Sequence, residues 1–273
     1  MDSPFKRLSV KTNRTKPQKL CPLYLKKEQK KNSFKINRKR DNIVVWIRPT
    51  KSKQYYTRIK QMKVLFFGDS ITDANRERET DFSLKSYGFG YVRAIAGELL
   101  FDNPTKYEIF NRGISGNRIV DLYARIKKDL WNVEPDVLSI LIGVNDVWHE
   151  IAHQNGVDLV RFEKVYRTII EETKERLPNL KMILCEPFVL LGAATQEAYE
   201  RFLEVKEYAK IVKKLAEEYG LSFLPLQEKF DELATKYGAT HYLFDGVHPS
   251  VVGAQLIANE WLSLFRDKIG NNQ

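Results

Sequence analysis

Three separated groups of residues hold side chains that together could transfer an acyl group. Ser70 follows at once on Val64-Leu65-Phe66-Phe67-Gly68-Asp69, an apolar run that stops at a glycine. A hydroxyl is a weak nucleophile until a neighbouring base takes its proton. Near the other end stands Asp245-Gly246-Val247-His248. A carboxylate three residues before a histidine can reach one imidazole nitrogen across a single turn, fix the tautomer and leave the other nitrogen free. Taken alone, that pair reads equally as a structural histidine or a metal ligand. The third requirement is N–H donors for a tetrahedral oxyanion, each worth about 2.7–4 kcal/mol. Gly113, Asn145 and the backbone N–H of Ser70 are the candidates, with a turn glycine and a loop cap as the plainer readings of the first two.

The elements that must position these groups alternate in type. Val64–Phe67 is a continuous apolar run and Val137–Ile142 one interrupted only by Ser139, the pattern of strands covered on both faces, and the second ends in what reads as a polar loop at Gly143–Asp146. Tyr107–Phe110, Lys181–Cys185 and Leu221–Leu226 read as three further strands. Between them, apolar residues recur at helical spacing over 91–101, 119–131, 159–177 and 197–219, with a terminal helix over 251–265. Pro178 stops the third helix and Gly220 caps the fourth. Strands joined by crossovers of this length pair in parallel. The expectation is a three-layer α/β domain with polar loops collected at one sheet edge, where open sheets bind ligands.

The chain's 273 residues divide by charge. Residues 1–61 hold 19 Lys and Arg against 3 Asp and Glu, leaving 26 and 32 in residues 62–273. The excess positive charge therefore belongs to a leader, and the catalytic candidates lie in a mildly acidic domain. A leader this polar predicts disorder. A solvated tail, a tether to nucleic acid or anionic membrane, and a misassigned start at which Met62 is the true first residue all fit it. No secretory h-region and no run of 18 or more apolar residues occurs, so the expectation is a cytoplasmic protein without a membrane span. Cys21 and Cys185 form no CxxC pair, which predicts neither a disulfide framework nor a zinc site. Of the four histidines, His149, His153 and His241 read as surface or packing residues.

Taken together, Gly68-Asp69-Ser70-Ile71, Gly113, Gly143-x-Asn145-Asp146 and Asp245-x-x-His248 resemble the four sequence blocks of the SGNH hydrolases, or GDSL esterases, in the family's order. The resemblance covers residues 62–268 and none of the leader. It implies a flavodoxin-like five-stranded parallel sheet in an α/β/α sandwich. It further implies Ser70 as nucleophile, His248 as base, Asp245 as its orienting carboxylate, and Ser70, Gly113 and Asn145 as the oxyanion hole. No metal or organic cofactor is implied.

Three longer runs, Gly88–Val92, Asn111–Asn117 and Ile142–Trp148, are similar to bacterial acetylxylan esterases within that family. This similarity implies removal of acetyl groups from sugar hydroxyls. A general acylhydrolase, lysophospholipase or thioesterase, and a non-catalytic carbohydrate-binding protein, are the alternatives. Trp148 is either an apolar wall of the substrate pocket or ordinary packing, and Asp69 is placed beside that pocket as a brace of the loop. The partner expected is a small or oligosaccharide ester, with no nucleic acid, and a homo-oligomer is left open. Two other classes fit poorly. Thr72 stands where a Gly-x-Ser-x-Gly elbow needs glycine, and neither a Gly-x-x-x-x-Gly-Lys nor a complete Gly-x-Gly-x-x-Gly occurs.

Overall fold

A computed structural model describes residues 60–270 together with two strands of the leader. Those strands, β1 (Phe34–Lys39) and β2 (Asn42–Ile47), pair antiparallel. They interrupt the expected featureless leader; the rest of that expectation lies outside the described residues.

The runs read as strands form β3 (Met62–Gly68), β4 (Tyr107–Gly113), β5 (Val137–Leu141), β6 (Lys181–Cys185) and β7 (Ser222–Leu224). All pair in parallel, in the order β4-β3-β5-β6-β7. This is the flavodoxin-like doubly wound order. The chain moves from β3 to β4 in one direction and then crosses back over β3 to β5. Because such crossovers are right-handed, that reversal places the connecting helices on opposite faces.

The side chains of β3 record both faces, since neighbours on a strand point opposite ways. Phe66 packs on Tyr91 of α2 (Tyr91–Asp102) and on Trp261 of α10 (Val251–Phe265). Phe67, its neighbour, meets the Arg125 guanidinium of α3 (Ile119–Ile126) at 4.3 Å. Helices α5 (Leu159–Arg176) and α7 (Val205–Glu218) continue the α3 layer. The lone hydroxyl in the middle of β5, Ser139, is buried but satisfied, accepting from Trp261 Nε1 at 3.0 Å.

Several elements depart from the sequence reading. The segment 197–219 is not one helix: a short α6 (Tyr199–Phe202) precedes α7. Gly143–Asp146, read as a loop, opens α4 (Val144–His153). Two further helices, α8 (Gln227–Tyr237) and α9 (Ala239–Tyr242), follow β7. Gly220 takes φ +62, the left-handed conformation expected just after a helix end.

Candidate active site

Strand β3 lies at the point where strand order reverses, and the chain leaving it turns at once into α1 (Ser70–Asp73). The turn is too tight for any side chain at position 68: a Cβ there would sit 2.4 Å from Thr72 Oγ1 and 2.5 Å from the Leu141 carbonyl. Asp69 caps α1, its Oδ1 accepting from Ile71 N–H at 2.9 Å. Ser70 is thus the first residue of a helix, and its own N–H has no intrahelical acceptor.

One turn cannot hold itself, and β4 supplies the support. Asn111 Nδ2 donates to the Thr72 carbonyl at 2.7 Å and to the Tyr87 carbonyl at 3.0 Å. Asp73 Oδ2 accepts from Ser115 N–H at 2.9 Å and from its hydroxyl at 3.0 Å. Arg125 reaches across the strand ends, donating to the Gly68 and Arg112 carbonyls and to Asn117 Oδ1.

The Asp-x-x-His pair lies in the bend between α9 and α10. Asp245 Oδ1 accepts from the backbone N–H groups of Val247 and His248 at 2.9 and 2.7 Å. Its Oδ2 faces His248 Nδ1 at 2.7 Å, and His248 Nε2 lies 2.9 Å from Ser70 Oγ. The bend is held from outside by the loop after β6, where Leu190 and Ala194 N–H groups donate to the Gly246 and Asp245 carbonyls, each at 2.8 Å. Burial pushes the Asp245 carboxyl up, but the imidazole and the two N–H groups outweigh it, and the net shift is downward. The hydrogen bond that His248 donates to Asp245 in turn raises the His248 pKa against the effect of burial, with smaller help from the charges of Asp245 and Asp69.

Two clefts meet at Ser70. The larger, about 540 Å³, runs between the exposed rings of Phe89 and Phe244 past His248. The smaller, about 360 Å³, is bounded by Gly116, Asn145, Trp148, His149, His153 and His248. Trp148 packs edge-on against Phe202, with its centroid 6.0 Å from that of His248. It therefore packs and lines the cleft at once.

Two expected positions need correction. Gly113 is buried, and its N–H is bonded at 2.9 Å to Asn111 Oδ1 and so is not available to a ligand. The close approach it permits is to Asp73, whose backbone nitrogen would lie 2.1 Å from a Cβ at 113. Gly116 faces the cleft instead. It sits third in a turn closed by Asn117 N–H on the Ile114 carbonyl at 3.2 Å, with φ +80, and its N–H takes no acceptor among the described residues. A type II turn demands that conformation at its third residue, which explains the glycine. Asn145 borders the smaller cleft, and its Nδ2 donates to the Asn117 carbonyl at 3.1 Å, leaving its second hydrogen unused among the described residues.

Asp69 does not line the substrate pocket. It is 1% exposed, its Oδ2 has no hydrogen-bond partner, and burial pushes its pKa up to about 7. His153, read as a surface or packing residue, is exposed and also borders the smaller cleft together with His149. The signal that would have placed it is the four-residue spacing of the two histidines, which counts only once α4 is recognised as a helix.

A serine, histidine and carboxylate in hydrogen-bonded sequence, with free N–H donors beside the hydroxyl, can carry out acyl transfer at an ester. Fold and site together define the class: the chain belongs to the GDSL-like lipase/acylhydrolase family, whose match spans residues 66–256, and is a carboxylic ester hydrolase. Among its relatives is an acetylxylan esterase of Geobacillus stearothermophilus, 38% identical over an alignment of 207 residues that covers 73% of this chain and 92% of that protein. The crystal structure of acetylxylan esterase Axe2 from the same organism superposes with a TM-score of 0.68 at 34% identity, over 76% of this chain and 95% of that one. A structure described as a GDSL-like lipase from Parabacteroides merdae gives 0.71 at 41% identity, over 75% and 95%. Among the described residues no helix is long and apolar enough to cross a membrane.

Proposed function

We propose that this esterase removes acetyl groups from carbohydrate hydroxyls, such as those of acetylated xylo-oligosaccharides, through an acyl-enzyme on Ser70. The observation that carries the reading is the unbroken relay of Ser70 Oγ, His248 and Asp245 at 2.9 and 2.7 Å. Axe2 variants described as catalytic mutants replace a serine, an aspartate and a histidine three positions after the aspartate, the same residue types at the same closing interval.

In the first half-reaction His248 Nε2 takes the Ser70 proton as Oγ attacks the ester carbonyl carbon. The resulting oxyanion accepts hydrogen bonds from Ser70 N–H, Gly116 N–H and Asn145 Nδ2. His248 then returns the proton to the departing sugar oxygen, leaving an acetylated Ser70. Water, deprotonated by the same imidazole, attacks the acetyl carbon; the bond to Ser70 Oγ breaks, Oγ takes the proton back from His248, and acetate leaves. Asp245 holds Nδ1 as the donor throughout and stabilises the imidazolium.

The two clefts divide the substrate. The smaller, with the oxyanion donors and the Trp148 face, suits a short acyl group; the larger cleft between Phe89 and Phe244 suits a sugar, whose apolar faces stack on aromatic rings.

The Ser70→Ala variant should remain folded and lose hydrolysis of p-nitrophenyl acetate by several orders of magnitude; unchanged turnover would refute the nucleophile. Substrate class is tested with acetylated xylo-oligosaccharides against acyl esters of increasing chain length. A preference for long chains would replace the deacetylase reading by a lipase or thioesterase one while keeping the mechanism.

A further inference from the structure

His149 and His153 are four residues apart on α4, and residues at that interval lie one above the other on the same helix face. Both rings border the smaller cleft that also holds Ser70 and His248. Their centroids are 5.8 Å apart with the planes at 83°. A metal ion held by two imidazole nitrogens at about 2.0–2.1 Å, at the tetrahedral angle, places the ring centroids about 5.2 Å apart, close to the separation of this pair, so that rotation of the two rings within the cleft can bring one nitrogen of each to a shared ion. His149 Nε2 looks toward Gly116, which presents no side chain and leaves room for an ion and its waters.

We propose that His149 and His153 form a two-imidazole site for a borderline transition-metal ion such as Zn²⁺ or Cu²⁺, and that an ion seated there blocks ester hydrolysis. The intervening residues complete a His-Glu-x-x-His spacing, the ligand pattern of zinc peptidases. This site is not of that kind. Glu150 is turned outward, its Oε2 accepting from Gly156 N–H at 3.0 Å, so no carboxylate is poised over metal-bound water. Among the described residues no group of three or more His, Cys, Asp or Glu is arranged to hold a metal. With two protein ligands and the rest water, the ion is exchangeable, and its consequence is occlusion of the cleft that receives the acyl carbonyl.

The test uses the full chain, with ZnCl₂ and CuCl₂ as probes, followed by calorimetry and by hydrolysis of p-nitrophenyl acetate in a non-chelating buffer. Wild type should bind one ion more than either His149→Gln or His153→Gln and lose activity reversibly, with EDTA restoring it. Each variant, measured against its own metal-free rate, should need at least about tenfold more metal for half-inhibition, since loss of an outer-sphere partner alone costs about 10–100-fold. Potency should follow Mn²⁺ < Co²⁺ < Cu²⁺ > Zn²⁺, with Mg²⁺ and Ca²⁺ inert. Equal binding by both variants would overturn the site and place the ion on His248 or elsewhere. Binding that leaves hydrolysis untouched would overturn the blocking role. Calorimetry is independent of the esterase reading, so a chain that binds the ion yet hydrolyses no ester refutes that reading and not the site.

Discussion

Replacing Asp245 by asparagine tests the relay with little disturbance of the bend around it. Asp245 Oδ1 holds two backbone N–H groups, at 2.7 and 2.9 Å, which fixes the orientation of the substituted amide: its oxygen must stay on those donors. The amide NH₂ then occupies the place of Oδ2, 2.7 Å from His248 Nδ1. Facing a donor, Nδ1 becomes the acceptor and the ring proton moves to Nε2, the nitrogen that must receive the proton of Ser70. The imidazole keeps its position and loses its function as a base. The same change in a serine protease triad costs about 10⁴ in kcat, a loss of about 5.5 kcal/mol in transition-state stabilisation. The assay is kcat on p-nitrophenyl acetate, alongside thermal melts. Asp245→Asn should melt within a few degrees of wild type, whereas Asp245→Ala orphans two N–H groups at about 1–3 kcal/mol each and should melt lower. A kcat within tenfold of wild type in the asparagine variant, or a loss matched by unfolding, would refute the argument.

Other expectations follow from neighbouring residues. Asp69 contributes charge that raises the His248 pKa, so Asp69→Asn should lower it and move the acid limb of the kcat/KM profile to lower pH; an upward shift would contradict the sign. The two glycines of the β4 loop should separate by readout. Gly113→Ala drives a Cβ to 2.1 Å from Asp73 N and should destabilise by about 1–3 kcal/mol or more, measured by denaturant midpoint. Gly116→Ala meets nothing nearer than 4.0 Å, carries only left-handed strain of about 1–2 kcal/mol, and should lose mainly kcat as its N–H is displaced. Asn145→Ala should lower kcat by about 10²–10³ with little change in KM, measured by steady-state kinetics on an acetyl ester.

The sheet was legible because its strands are covered on both faces: Val64–Phe67 and Val137–Leu141 are wholly apolar but for Ser139, and no helix period competes with them. Ser70, Asp245 and His248 were legible for a different reason, since their roles require particular side chains at the ends of such elements. The choice between Gly113 and Gly116 was not. Both fall in the seven-residue run Asn111–Asn117, and what separates them is that Gly113 ends β4 with its N–H bonded to the Asn111 side chain while Gly116 lies in the turn beyond, a difference no spacing encodes. Helix α4 was hidden by its own first turn, because Asn145 and Asp146 are loop-forming residues by composition. There they do tertiary work instead: Asp146 accepts from Ile119 N–H at 3.0 Å and caps α3, buried so fully that its pKa is raised well above the ordinary range. Missing that helix also separated His153 from the cleft.

The brevity of α1 has a consequence for how the enzyme comes into being. Four residues are far fewer than the roughly 12–15 an isolated helix needs to be even marginal in water. The segment carrying Ser70 therefore has no intrinsic reason to hold its shape, and its anchors lie about forty residues downstream, Asn111 on a strand whose pairing with β3 must close a long loop and Ser115 in the turn just after it. The geometry of Ser70 thus comes from tertiary contacts, present while β4 and the loop after it are docked and lost with them, so that the serine belongs to the assembled sheet edge rather than to its own segment.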